Sequence, residues 1–139
     1  MSNRESLWSR MRRYWAAGGA YGTPNVEPSR KAVFHVLYGN IEVGTLESVD
    51  GVWKFRYSDE FRKDGNRLRA ITEFPDSGRE YVSPELWPFF AMRIPSLKQA
   101  EIKAIVEREH IDEKDEATLL RRFGRRTVAN PFELVESAS

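Results

Sequence analysis

Residues 31–57 read KAVFHVLYGNIEVGTLESVDGVWKFRY, and this stretch decides the predicted fold. Apolar residues recur at every second position over 32–38, 41–49 and 52–58, which is the period of a β-strand. Gly39-Asn40 separates the first two segments and Asp50-Gly51 separates the last two, and both pairs are typical of two-residue hairpin turns. The stretch therefore predicts three antiparallel strands in a meander.

The faces of the predicted strands carry further information. The first strand is apolar on both faces, so we predict that it lies inside the sheet. In the second strand Gly44 interrupts the alternation, which indicates a β-bulge. We expect Ile41 and Val43 on one face of this strand and Leu46 on the other.

The rest of the body is predicted to be mainly helical. The predicted elements are a helical turn at 59–65, a strand at 67–74, helices at 86–94, 97–109 and 115–123, and an edge strand at 127–136. Ser83-Pro84-Glu85 has the composition of a helix start, and Gly124 that of a helix end. The fold class is therefore α+β: an antiparallel meander of four to five strands, packed with about three C-terminal helices and preceded by a short basic N-terminal helix.

The beginning of the chain differs from the remainder in charge and composition. The 139 residues have a net charge of +1, but residues 1–31 alone carry +4, from six basic and two acidic residues. Residues 18–25 contain three glycines and a proline, as a linker does. We therefore predict a basic helix and linker over 1–31, the α+β domain over 32–136 and a disordered tail over 137–139.

The N-terminal arm has a one-sided apolar stripe made of Leu7, Trp8, Met11, Tyr14 and Trp15. A helix this short is unstable alone in water, so the stripe must lie against another surface. Docking on its own body or on a second copy is the favoured interpretation. A partner protein, nucleic acid or a lipid surface are the alternatives. The candidate contact residues of the arm are Trp8, Arg12, Arg13 and Trp15.

Composition and motifs exclude several classes of function. Apolar runs are only a few residues long, far below the ~20 residues of a membrane span, so no membrane association through a span is predicted. The chain has no Cys, two His, and none of the spacings typical of metal ligands, phosphate loops or activated nucleophiles. We predict no metal site, no cofactor and no catalytic residues. The basic start lacks the apolar core of a secretory signal, which favours a cytoplasmic protein.

The hairpin region resembles the opening of the HipA N-terminal domain. LYGNIEVGTL at 37–46, followed by DGVWKFRY at 50–57, is similar to that family's strand, polar turn, "VG.L" strand and aromatic strand. Later segments keep the family's order, namely Phe74-Pro75, WPFFAMRIPS at 87–96 and LLRRFGR at 119–125. The resemblance covers roughly residues 32–135. Arg93, Arg126 and Val128-Ala129 depart from the family's pattern, and the N-terminal arm matches nothing in it.

This resemblance implies a protein-binding function. HipA toxins are serine/threonine kinases in which this module precedes the catalytic domain, and a separate copy resembles the HipS-type antitoxin of split toxin–antitoxin systems. The implied partner is a HipA/HipT-like kinase, with a HipB-like DNA-binding protein as a further partner. The expected partner-binding residues are Trp87, Phe89, Phe90 and Arg93.

Trp87 is the expected centre of this contact, because Pro84 and Pro88 flank it and rigid aromatic side chains are preferred in binding hot spots. Burial of Trp87 in the domain core is the alternative. Two other functions stay open at this point: a general interaction module without a toxin partner, and a nucleic-acid-associated factor that uses the Arg-rich arm. Direct nucleic-acid binding is not expected, since few arginines are present in the arm.

Overall fold

The computed structural model describes residues 31–63 and 69–137 of the chain. Its elements are β1 (Lys31–Tyr38), β2 (Ile41–Val49), β3 (Val52–Tyr57), α1 (Asp59–Lys63), β4 (Tyr81–Ser83), α2 (Pro88–Ala91), α3 (Ala100–Arg108), α4 (Glu116–Phe123) and β5 (Glu133–Glu136). The five strands form one antiparallel sheet in the order β4-β3-β2-β1-β5. The predicted α+β class, the meander and the internal position of β1 are confirmed.

Parts of the predicted organisation fall on residues that the structure does not describe. The N-terminal helix, with Trp8, Arg12, Arg13 and Trp15, lies outside the described residues, and so do 138 and 139. Lys31 is already the first residue of β1. At the other end of the domain, the Ser137 backbone amide donates a hydrogen bond of 2.8 Å to the carbonyl oxygen of Val33.

The backbone angles of the turn between β2 and β3 explain why Asp50-Gly51 forms a hairpin there. Asp50 has φ of 49° and Gly51 has φ of 85°, so both central residues are in the left-handed region. This pair of angles belongs to the primed turn whose twist matches two antiparallel strands, and Asp-Gly is among the pairs that adopt it at low cost. The predicted hairpin is confirmed, with Val49 paired to Val52.

The predicted bulge in β2 is also confirmed. Val36 pairs with Gly44 and Leu37 pairs with Glu42, so Val43 is an extra residue with no counterpart in β1. An extra residue of this kind bends the strand and increases its twist. At the bulge, the backbone of Gly44 lies directly against β3.

The bulge overturns the predicted faces of β2. Val43 and Leu46 are both fully buried in the same core cluster, while Ile41 is half-buried. The prediction that Val43 and Leu46 lie on opposite faces was wrong. Side chains alternate with a period of two, so the inserted residue shifts the pattern by one place.

We expect Gly44→Ala to destabilise the domain by about 1–3 kcal/mol, since overpacking of a core typically costs this amount. A Cβ at this position would overlap the carbonyl oxygen of Arg56 and lie 2.9 Å from the Phe55 ring. Urea unfolding measures the loss. The control is Gly78→Ala, whose added carbon would meet only a side-chain oxygen of Asp76, at 3.5 Å. Equal stability of the two variants would contradict this account of the β2–β3 contact.

Helices and loops cover one face of the sheet and form the core with it. The largest fully buried side chains of this core are Trp53, Tyr57, Phe34, Phe55, Phe74, Phe90, Leu46, Leu120, Val36 and Val43. Phe74 comes from the loop between α1 and β4, where a strand was predicted over 67–74. That prediction was wrong: in the described part of this segment the Phe74 amide bonds to the Ile71 carbonyl, which closes a turn. The fourth strand is instead β4, paired with β3.

The helices predicted from Leu86 and Leu97 begin later than predicted, whereas α1 begins at Asp59 as predicted. Ser83 belongs to β4, and α2 spans only Pro88–Ala91, because Pro88 lacks an N–H and is best placed at the first helical position. The helix predicted from Leu97 begins at Ala100. The helix predicted at 115–123 is confirmed as α4, with the Asp115 carboxylate accepting from the amide of Thr118 at 3.1 Å.

Tyr57 joins the sheet to the loop that carries Phe74. Its hydroxyl donates to the Phe74 carbonyl and accepts from the Ile71 amide at 2.9 Å, and the residue is 1% exposed. Burial raises the pKa of Tyr57 to about 12, although the bond from the Ile71 amide opposes the shift. The folded state therefore holds the phenolic proton more tightly than the unfolded state, in which the pKa is near 10.

A pH dependence follows from this difference. The stabilisation is complete below pH 10 and is lost between pH 10 and 12, because the unfolded chain releases the proton first. We expect a loss of about 2–3 kcal/mol in the free energy of unfolding over this range. Tyr57→Phe should show a smaller decrease between pH 9 and pH 12 in denaturant titrations. Parallel pH profiles for the two proteins would show that Tyr57 does not control the alkaline transition.

Candidate partner-binding surface

The described part of the chain offers little for metal chemistry. Within residues 31–63 and 69–137, no three His, Asp or Glu side chains lie close enough together to hold a metal ion. Among the helices of this part, none has the length and apolar character needed to cross a membrane.

Three aromatic rings are in successive contact, and a fourth is connected to them through the core; we call these four residues the aromatic ridge: Tyr38, Phe132, Phe89 and Trp87. Ring centroids are 5.7 Å apart for Phe89 and Phe132, and 5.5 Å apart for Phe132 and Tyr38. Trp87 joins through the buried Phe74, which lies 5.1 Å from Trp87 and 6.4 Å from Phe89. Tyr38 is exposed and the other three ridge residues are half-buried. Trp87, Phe89 and Phe132 pack against the core cluster, so the ridge is a partly exposed aromatic margin of the core.

The short helix α2 positions one end of the ridge. Trp87 is its N-cap residue, and the Trp87 carbonyl accepts hydrogen bonds from the amides of Phe90 and Ala91, both at 2.9 Å. Pro88 fixes the first helical position. The next two residues differ in burial: Phe89 is half-buried and Phe90 is fully buried. Their rings are perpendicular, with centroids 5.0 Å apart. Backbone rigidity at α2 therefore holds Trp87 and Phe89 in a defined orientation.

Arg93 anchors the segment that carries Phe132 of the ridge. Its guanidinium donates to the carbonyl oxygens of Gly124, Arg125 and Phe132 at 3.1, 3.3 and 2.7 Å, and to Asn130 Oδ1 at 2.9 Å. Arg93 is 4% exposed, and its Nε is buried without a hydrogen-bond partner in the described residues. Burial lowers the pKa of Arg93 to about 10. Arg93 is thus a buried cation that joins the end of α2 to residues 124–132.

The structure places the predicted partner-binding residues in two different environments. Trp87 and Phe89 lie on the ridge, half-buried and packed against the core. Phe90 and Arg93 lie inside the domain, as a core ring and as the anchor of 124–132. The predicted contacts of the arm, Trp8, Arg12, Arg13 and Trp15, lie outside the described residues.

Sequence analysis missed two ridge residues, Tyr38 and Phe132. Tyr38 is the last residue of β1, and Phe132 directly precedes β5. They meet because β5 pairs antiparallel with β1, so that Leu37 faces Glu133. A strand pairing between the two ends of the domain leaves no local signal in the sequence, although both rings stand at strand ends.

A cleft of about 720 Å³ lies at the opposite end of β1, between the β2–β3 turn and α4. Lys31, Asp50, Lys114 and Arg121 are among its lining residues, so its charges are mixed in sign. Glu116 also lines it, and burial raises the pKa of this carboxyl. Mixed charge gives the cleft no preference for anions or cations, and we regard the aromatic ridge as the stronger candidate.

Comparison with known proteins agrees with the fold. The family model for the HipA N-terminal domain matches residues 34–129 of the 139. The chain matches no curated protein. The matched segment begins in β1 and ends after α4, and it includes Tyr38, Trp87 and Phe89 of the ridge. Because the match covers more than half of its length, the chain belongs to the HipA N-terminal domain family.

Proposed function

We propose that this protein is a non-catalytic module that binds a HipA/HipT-like serine/threonine kinase and neutralises it as an antitoxin. In this proposal it acts in the cytoplasm, with a HipB-like DNA-binding protein as a further partner. The match to the HipA N-terminal domain over 34–129 is the observation that carries the proposal. The aromatic ridge supplies the surface that such a module needs.

The ridge has the physical character of a binding hot spot. Tryptophan and tyrosine are enriched among the residues that dominate binding energy, and hot spots lie in regions that become fully desolvated. Trp87 packs edge-on against Phe74 with the two planes at 89°, and α2 fixes its backbone. A ring that is already ordered loses little conformational entropy when a partner covers it. A kinase surface with an apolar depression would therefore bind the ridge favourably.

Co-expression tests the proposal. The proposal predicts a HipA/HipT-like kinase gene beside the gene of this protein. That kinase should arrest growth alone, and the arrest should be relieved when the protein is expressed with it. The two chains should then elute together in size-exclusion chromatography, and autophosphorylation of the kinase should fall. A kinase that stays toxic and elutes separately in the presence of the folded protein would refute the antitoxin function.

A nucleic-acid function of the Arg-rich arm is the alternative, and the described body gives it no support. Arg121 and Arg122 each contact a carboxylate, at 2.6 and 2.9 Å. Arginines paired in this way are partly neutralised and compete poorly for phosphate. Binding to duplex DNA that weakens steeply with salt would favour this alternative over the general interaction module.

A further inference from the structure

Residues 125–131, which we call the tip loop, project an apolar side chain into solvent. Thr127 and Asn130 form an isolated antiparallel bridge, so Val128 and Ala129 occupy the turn between them. The Ala129 amide donates to Thr127 Oγ1 at 3.2 Å. Val128 is fully exposed, with a relative exposure of 108%. A β-branched residue at such a position contributes nothing to the core of the domain.

The tip loop is held at both ends. Arg93 binds the carbonyl oxygens of Arg125 and Phe132 and the side chain of Asn130. The Asn130 side chain also accepts from the Phe132 amide at 3.1 Å, and the Leu134 amide bonds to the Arg125 carbonyl at 2.9 Å. The loop is therefore ordered before any partner arrives, which lowers the entropic cost of binding.

Two arginines precede this apolar tip in the chain. The side chains of Arg125 and Arg126 are 68% and 77% exposed, and both lie against the same carboxylate of Glu133, at 2.6 and 3.5 Å. One carboxylate does not neutralise two guanidinium groups. A complementary surface would offer an apolar depression for Val128 and acidic side chains at its rim.

The tip loop also adjoins the aromatic ridge. Phe132, which follows the loop directly, contacts both Phe89 and Tyr38 of the ridge. A partner seated on the ridge would therefore come close to the loop. Continuity of the two features argues for one partner that contacts both, and not for two separate partners.

We propose that the tip loop is a second contact of this module with its kinase, in which Val128 enters an apolar pocket with an acidic rim. This inference rests on the proposed function and adds the chemistry of the partner's surface. The apolar side chain provides affinity and the two arginines provide orientation. The loop thus helps to select one kinase among related ones.

The experiment compares the affinity of the unmodified protein for the kinase with that of variants substituted in the tip loop. We expect Val128→Asp to weaken binding by about tenfold to a hundredfold, and Arg126→Glu by about fivefold, with the second effect reduced at high salt. Ala104→Asp and Lys103→Glu, at exposed positions of α3, are matched controls and should change affinity by less than about twofold. All four variants should retain their circular dichroism spectra, since none alters a buried side chain.

The outcomes separate this inference from the function on which it rests. Unchanged affinity of Val128→Asp, together with weakened binding of Trp87→Ala, would overturn the tip-loop contact and leave the kinase-binding function intact. Failure of the unmodified protein to bind the kinase would overturn both. Equal weakening by Arg126→Glu and Lys103→Glu would overturn the acidic rim, because the effect would then come from net charge alone.

Discussion

Replacing Trp87 with alanine should abolish neutralisation of the kinase while leaving the domain folded. An aromatic anchor in a desolvated pocket typically contributes about 2–4 kcal/mol to binding, or roughly 30- to 1,000-fold in affinity. The cost to stability should be smaller, about 1–2 kcal/mol, because Trp87 is half-buried and rests on Phe74 by an edge contact. Calorimetric titration of the kinase and thermal unfolding of the isolated variant measure the two effects separately.

Ile105→Ala is the matched control for this experiment. Ile105 is a half-buried residue of α3 and is not part of the aromatic ridge, so its truncation should lower stability without weakening the complex. A loss of stability above about 3 kcal/mol for Trp87→Ala, the range of a core aromatic, would place Trp87 in the core and not in the interface. Unimpaired neutralisation by a stable variant would remove Trp87 from the interface altogether.

Arg93→Met should be among the most destabilising substitutions in the domain, with an expected loss of about 3–5 kcal/mol. Methionine fills a similar volume but leaves the carbonyl oxygens of Gly124 and Phe132 without the guanidinium donor, while the Arg125 carbonyl keeps only the Leu134 amide. Each buried acceptor left unsatisfied costs about 1–3 kcal/mol. Guanidinium chloride unfolding measures the difference, and hydrogen exchange should show reduced protection in residues 124–134.

Two further arginine variants serve as controls for the loss of stability in Arg93→Met. Arg93→Lys keeps the charge but cannot reach four acceptors with one ammonium group, so an intermediate loss is expected. Arg121→Met removes an exposed arginine that binds Glu136 at 2.6 Å, and should cost no more than about 1 kcal/mol. If Arg93→Met were as stable as Arg121→Met, Arg93 would not be the anchor of residues 124–132.

Part of the candidate site could be predicted from the sequence, because that part depends on residues that are neighbours in the chain. Trp87 was identified because prolines flank it, and Pro88 does begin the short helix that holds it. The same apolar window suggested Phe90 and Arg93 as contacts. Which residues of a short apolar window face inward depends on what packs against it, and a helix of four residues has too few turns to show this by periodicity.

Arg93 shows most clearly why part of the candidate site could not be predicted from the sequence. A charged residue in an apolar window resembles a surface residue, since arginine is rarely fully buried without a partner. Its partners here are mainly backbone carbonyl oxygens of a segment more than thirty positions further along the chain. Carbonyl groups occur at every residue and leave no mark in the sequence, so the anchor could only be seen once the chain was folded.

The sequence alone determined the three-stranded meander, its turns, the bulge at Gly44 and the boundaries of α4. Each of these depends on neighbouring residues: Asp50-Gly51 adopts positive φ at low cost, and Asp115 caps the helix that follows it. Tertiary structure alone decided the position of the fourth strand, the composition of the aromatic ridge and the role of Arg93. These depend on the pairing of β5 with β1 and of β4 with β3, which joins segments distant in the chain. Such pairings are selected by the packing of the whole core, and no local pattern specifies them.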